Sequence, residues 1–187
     1  TVLRQIVAEE LVIPLDLIRV VATDTDAVDS DSGVGGSRAT HTAGQATYKA
    51  SQKLRRTLIE EAAKQLGINP DRIRLRDNHY TSSKLYQSVC LPEIASKLGK
   101  PLSSEATYSP ESPDKTTSFC VQVAQVKVDP ETGQATVLNF FSVHDVGTIL
   151  NPVAHQGQIE GGVVTGFGLG VTEEFVTDAG QVVNGNM

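Results

Sequence analysis

The stretch "SGVGGSRATHTAGQATYKASQKLRRTLIEEAAKQLG", Ser32 to Gly67, decides how the rest of the chain is read. From about Ala39, residues Ala43, Ala46, Ala50, Leu54, Leu58, Ala62 and Leu66 fall on one helical stripe, and Gly67 supplies the stop. The small residues early in this helix, Ala43, Gly44 and Ala46, let another backbone approach closely. Ahead of the helix stands a glycine-rich turn with Gly33, Gly35 and Gly36, then Ser37 and Arg38. Glycines allow N–H groups to converge without a Cβ in the way. A helix start adds unpaired N–H groups and a partial positive charge, and Arg38 is a forked cation suited to phosphate. The standard phosphate fingerprints do not fit: a P-loop needs lysine after its last glycine, and GxGxxG needs glycine at position 38. Local chemistry leaves two readings open, a tight turn with a helix cap and an anion-facing turn.

The acidic run Asp24 to Asp31 raises the question of a cation. A calcium loop needs oxygen ligands at alternating positions and a closing glutamate. Counted from Asp24, the fifth and twelfth positions are Val28 and Gly35; counted from Asp29 they are Gly33 and Thr40. Neither register fits, so the run reads as a solvated connector.

Upstream, Val2, Leu3, Ile6, Val7 and Leu11 recur at helical spacing, and the helix ends near Ile13-Pro14. "LIRVVATD", Leu17 to Asp24, has the β-branched content of a strand. Downstream, "DRIRLRDNHYTSSKLYQ" reads as a hairpin turning near Asp77-Asn78. "LPEIASKLG" is a short helix with proline in its first turn and a glycine stop. Residues 1–99 then form a first α+β lobe. Lys100 to Ser118, rich in Ser, Pro and Thr, reads as a connector between lobes. Residues 119–187 form the second lobe: a hairpin turning at "DPETG", a glycine-punctuated helix and a last hairpin that loses its second half. Hairpins beside helices favour an α+β fold with mixed sheets.

The chain has 187 residues, 39% apolar and 20% charged, with a net charge of −6. No basic stripe stands out, which argues against nucleic acid. Two distant cysteines, Cys90 and Cys120, make neither a disulfide framework nor a CxxC site, and the expected location is the reducing cytoplasm. No signal peptide or apolar run of membrane length is present. A start at Thr1 inside a helical pattern reads as a piece of a longer chain.

In the second lobe Gly162, Gly166 and Gly170 recur every fourth residue and suggest a helix packed hard against another backbone. Gln158 reads as a cap where this helix begins. His144-Asp145 reads as a turn that satisfies backbone groups. The four histidines, His41, His79, His144 and His155, lack zinc spacing.

Three motifs in order, "SGVGGSRATHTAGQATYKA", "VKVDPETGQATVLNFFSVHDVGTILNP" and "GQIEGGVVTGFGLGVTEEF", resemble the large, molybdenum-binding subunit of the xanthine dehydrogenase / aldehyde oxidase family. The resemblance covers nearly the whole chain and implies two related α+β lobes of a molybdopterin-binding domain. It implies a parent enzyme that hydroxylates an aldehyde or electron-poor heterocycle with oxygen from water. The implied cofactor is molybdenum on molybdopterin or molybdopterin cytosine dinucleotide, with iron–sulfur centres and FAD on other domains or subunits. By position, cofactor contacts carry over to Ser32, Gly35, Gly36, Ser37 and Arg38, and the pterin-reaching glutamine to Gln158. The family's GVGE-like catalytic glutamate has no counterpart here, so no catalytic residue or metal ligand is assigned and the piece alone is expected to be inactive. The expected partners are the remaining domains of the parent, the iron–sulfur and flavin components and a small-molecule substrate. A non-catalytic homologue or assembly module that kept the scaffold is the alternative.

Overall fold

The long helix forms where its pattern predicts it and organises the first half of the chain. In the computed structural model, which describes residues 1–21, 24–26, 33, 35–82, 86–110 and 117–185, α2 spans Ala39–Leu66 and stops at Gly67 in the left-handed conformation, φ 65°. The chain divides into two units, Thr1–Pro113 and Asp114–Met187.

In the first unit α1, Val2–Leu11, packs on α2, and α3, Leu91–Leu98, packs on α2 beside an antiparallel sheet. The sheet has the order β1 (Ile73–Arg76), β2 (His79–Ser82), β3 (Ser88–Cys90). The buried core joins Leu11, Leu58, Ala62, Ala63, Ile73, Tyr80, Val89 and Ile94, so every one of these elements contributes to one apolar cluster. At the early end of α2 the buried position is Gly44, and Ala43 is exposed. The stripe expected through Ala43 is therefore shifted by one residue. The reason is the approach of α1: a Cβ on Gly44 would lie 3.3 Å from Ile6 Cδ1.

The β1–β2 turn is at Asp77-Asn78, both with positive φ (48° and 63°), as the two-residue type I′ hairpin demands. The Asn78 N–H donates to the Val12 carbonyl at 3.1 Å. Val12 caps α1 at φ 52°, a conformation a β-branched residue rarely adopts, and this bond helps hold it there. The strand expected at Leu17–Asp24 does not form in the described residues. Leu15–Leu17 makes a single 3₁₀ turn, and residues 18–21 join no strand among the described residues, leaving Leu17, Val20 and Val21 exposed. β-branched content favours extended backbone, but a strand also needs a ladder partner.

Residues 101–110 form neither helix nor strand, yet they lie along α2. Ser104 Oγ donates to the Ala50 carbonyl at 2.8 Å, and Lys53 Nζ donates to the Glu105 carbonyl at 2.8 Å. Leu102 packs on the core.

The second unit opens with a long antiparallel ribbon, β4 (Phe119–Val128) and β5 (Ala135–Asp145), with a bulge at Gln125/Val126. In its turn Asp129 accepts from the Glu131 and Thr132 N–H groups, and these two bonds hold its carboxyl below the usual carboxylate range. Then follow α4 (Pro152–Phe167), a π-helical turn at Gly168–Thr172, and a minimal hairpin of β6 (Thr177–Asp178) and β7 (Gln181–Val182). The second strand of that hairpin is thus present rather than lost. Among the described residues the three sheets are antiparallel rather than mixed, because connections only a few residues long join the paired strands. The α+β class stands. Among the described residues no helix is long and apolar enough to cross a membrane.

Two stability predictions follow from this core. Gly44→Val forces branched methyls against Ile6 and should destabilise the first unit by about 1–3 kcal/mol, read from urea unfolding. Tyr80 is 1% exposed, and burial pushes its phenol up to about 12. Between pH 10 and 12 an unfolded chain ionises this tyrosine while the folded chain keeps it protonated, so stability falls as pH rises through that window. The stability difference between wild type and Tyr80→Phe should shrink by about 2 kcal/mol from pH 9 to pH 12.

Candidate functional site

The glycine-rich turn enters α2 through a change of backbone hand. Gly33 has φ 69°, Gly36 has φ 65° and Ser37 has φ 55°; Arg38 then returns to φ −98°, ψ 7°. Successive residues of opposite hand turn their N–H groups toward one side and form a concavity that suits an anion. Only glycine takes the left-handed form without steric cost, which explains Gly36. Ser37 takes it with a Cβ present, a small local strain.

The helix start is open. Arg38 is the N-cap residue and makes no side-chain cap bond, and the first turn holds no acidic residue. The Arg38 carbonyl accepts from both the N–H and the Oγ1 of Thr42, at 2.8 and 3.0 Å. The Arg38 side chain therefore does not compete for the leading N–H groups as a cap, and the helix dipole adds positive potential there. A Cβ at Gly33, Gly35 or Gly36 would meet nothing within 4 Å. Gly35, Gly36, Ser37 and Arg38 are exposed together on this turn. Ser32, the other expected contact, lies outside the described residues, as does most of the acidic run. In its described part the Asp26 N–H donates to Asp24 Oδ1 at 3.0 Å, a local turn.

Gln158 does not cap α4. Asn151 does: its Oδ1 accepts from the Ala154 N–H at 2.9 Å, and Pro152 fills the first helical position. Asparagine followed by proline is the stronger helix start, and it lies a full turn and more upstream. Gln158 instead sits in the second turn of the helix with its side chain exposed. An amide there is free to donate and accept at once.

The other second-unit readings divide. His144 and Asp145 are not in a turn: they end β5, paired with Cys120 and Phe119, and Asp145 Oδ1 satisfies one backbone group beyond the strand, the Gly147 N–H, at 3.5 Å. His144 Nε2 also lies 2.7 Å from Ser142 Oγ, and its ring meets His155 edge-on. Gly162 and Gly166 lie on α4 and Gly170 on the π turn, where an added Cβ meets nothing within 4 Å. The tight backbone packing expected at these glycines is not made within the described residues. Apolar side chains that such packing would cover remain open, Val164 at 69% and Leu169 at 68%.

One group near the α2 start escaped the sequence reading. His41, in the first turn, meets the Tyr108 ring edge-on at 5.6 Å, and Lys49 Nζ lies 4.8 Å from the centre of the same ring. The available signal was the alternation of Leu102, Ser104, Ala106 and Tyr108, inward at every second residue.

The family model for the molybdopterin cofactor-binding domain matches residues 1–187. The chain is 32% identical over 94% of its length to the gamma subunit of the 6-hydroxypseudooxynicotine dehydrogenase complex of Paenarthrobacter nicotinovorans, covering 23% of that protein. It is 33% identical over its full length to a xanthine dehydrogenase molybdenum-binding subunit of Escherichia coli, covering 26% of it. Among solved structures, CO dehydrogenase from Oligotropha carboxidovorans superposes with a TM-score of 0.85 at 28% identity, over 98% of this chain and 24% of that one. The chain thus spans about a quarter of the length of the relatives it matches.

The backbone hand of the turn is open to test. Gly36→Val should cost about 1–2 kcal/mol through the left-handed penalty alone, since no neighbour blocks its side chain. Ser37→Gly should be neutral or slightly stabilising in the same urea titration, because it relieves that penalty.

Proposed function

We propose that this chain, which belongs to the molybdopterin cofactor-binding domain family over residues 1–187, forms part of the cofactor cleft of a longer molybdenum hydroxylase. The observation that carries the reading is the reversal of backbone hand at Gly36, Ser37 and Arg38, set directly before the uncapped start of a 28-residue helix. Such a turn offers converging N–H donors and a positive potential, which match the phosphate and pterin oxygens of the family's cofactor.

Gly35 and Gly36 would let the cofactor approach the backbone, Ser37 would donate from its N–H and hydroxyl, and Arg38 would add a charge suited to phosphate. Ser32 belongs to the same proposed contact by sequence position. Gln158, with an exposed amide that donates and accepts, would pair with the pterin edge. When bound, as molybdopterin or its cytosine dinucleotide form, the cofactor supplies two-electron oxidation with water as the oxygen source. The substrate class for the parent is an aldehyde or electron-poor N-heterocycle. Iron–sulfur and flavin groups on other domains or subunits would take the electrons onward. This chain's contribution is to bind and orient, and none of its residues is assigned as the catalytic base.

The parent enzyme, purified from its host with its partner subunits, should carry molybdenum and pterin near one per large subunit. Gln158→Ala should weaken cofactor retention about 2–10-fold, the worth of one or two hydrogen bonds, measured as molybdenum and pterin content after dialysis. A parent that is metal-free yet oxidises such substrates would overturn the proposal.

A further inference from the structure

We propose that Tyr108 is a positioning residue for the cofactor-facing turn, acting through the first turn of α2. The inference rests on the function proposed above and extends it to a segment with no motif of its own. From Leu102 to Tyr108 the chain is laid along α2 with every second residue turned inward. It is fastened at Ser104 to the Ala50 carbonyl and at Lys53 to the Glu105 carbonyl. It ends with the Tyr108 ring set against His41 at 5.6 Å and under the Lys49 ammonium at 4.8 Å.

The spacing shows how the strap reaches the turn. Four extended residues, 104 to 108, cover about 13 Å. Nine helical residues, 50 back to 41, rise by about the same distance. A strap fastened at Ala50 therefore delivers Tyr108 to the first helical turn when it runs antiparallel to α2. His41 lies three residues after Arg38, and the next residue, Thr42, closes the first backbone bond of the helix onto the Arg38 carbonyl. Otherwise the start of α2 has no side-chain cap to steady it. An uncapped helix end frays unless something outside the helix holds it. The ring of Tyr108 supplies that hold by an edge contact and a cation–π contact, leaving the leading N–H groups open for a ligand.

The ring makes both contacts, so phenylalanine should replace tyrosine. The test uses the full-length subunit assembled with its partners, comparing Tyr108→Ala, Tyr108→Phe, Lys49→Gln and Gly36→Val with wild type. In Tyr108→Ala, amide hydrogen exchange at residues 42–46 should speed up at least 5-fold while residues 55–66 keep their protection. Molybdenum and pterin content after dialysis should fall at least 3-fold. Tyr108→Phe should match wild type in both readouts. Lys49→Gln, an exposed change that spares the fold, should show an intermediate acceleration. Unchanged exchange at residues 42–46 in both Tyr108→Ala and Lys49→Gln would overturn the positioning role, and cofactor loss in Gly36→Val would then still uphold the turn as cofactor-facing. Faster exchange with full cofactor content in both Tyr108→Ala and Gly36→Val would instead overturn the cofactor-facing turn itself.

Discussion

Burial of one face of α2 is the constraint on which the first unit depends. Along that face lie Gly44, Ser51, Leu58, Ala62 and Ala63, all buried, and the small size of all but Leu58 sets how near other elements come. α1 reaches the helix at Gly44, where Ile6 touches the space a Cβ would take. α3 and the β1–β2–β3 sheet close on its later half through Ile94, Val89, Tyr80 and Ile73. Close-packed interiors transmit such choices of volume from one layer to the next. The early half of α2 is covered more lightly, by α1 and by the strap of residues 102–108, and it is this lightly covered end that carries the glycine-rich turn.

The turn and the helix behind it work by different physics. The helix is stable because its inner face is apolar and packed. The turn has left-handed backbone at Gly36 and Ser37 and no capping side chain at Arg38. A structural turn would more commonly satisfy the leading N–H groups with an Asp, Ser or Asn cap, worth about 1 kcal/mol. Asn151 at the start of α4 does just that, and so does Asn69 before the short 3₁₀ turn at Pro70–Arg72. Among the described residues, α1 at Thr1 and α2 at Arg38 start without a side-chain cap bond, and of these only α2 follows a turn with left-handed backbone.

The second unit has a different balance. Its β4–β5 ribbon sets Phe119, Val121 and Val123 on the same face as Phe141 and Val143, and these side chains stand 54% to 68% exposed on a ribbon whose strand β4 is exposed at every residue. A two-stranded ribbon is marginal by itself in water and gains its stability by covering such a face. The relatives that superpose on this chain are about four times its length. The open glycine positions of α4, Gly162 and Gly166, have the same character: room for a neighbour that the described residues do not supply.

Local chemistry was legible in the sequence. The helical span and glycine stop of α2, the hairpin turn at Asp77-Asn78, the proline start and glycine stop of α3 and the "DPETG" hairpin all depend on neighbours within a few residues, and each formed as read. So did the identity of the family, because three motifs keep their order along the chain. What depended on distant partners was not legible. Leu17–Asp24 has strand composition, but a ladder needs a second strand, and none meets its described residues. Gln158 was misplaced at a helix start because a motif shows which residue matters and not where Asn151 places the first turn. Gly44 rather than Ala43 faces inward because α1 approaches there, a matter of packing. Tyr108, sixty-seven residues from His41 in the chain, could reach the start of α2 only through the tertiary fold, since nothing in a linear sequence records which extended segment will lie along which helix.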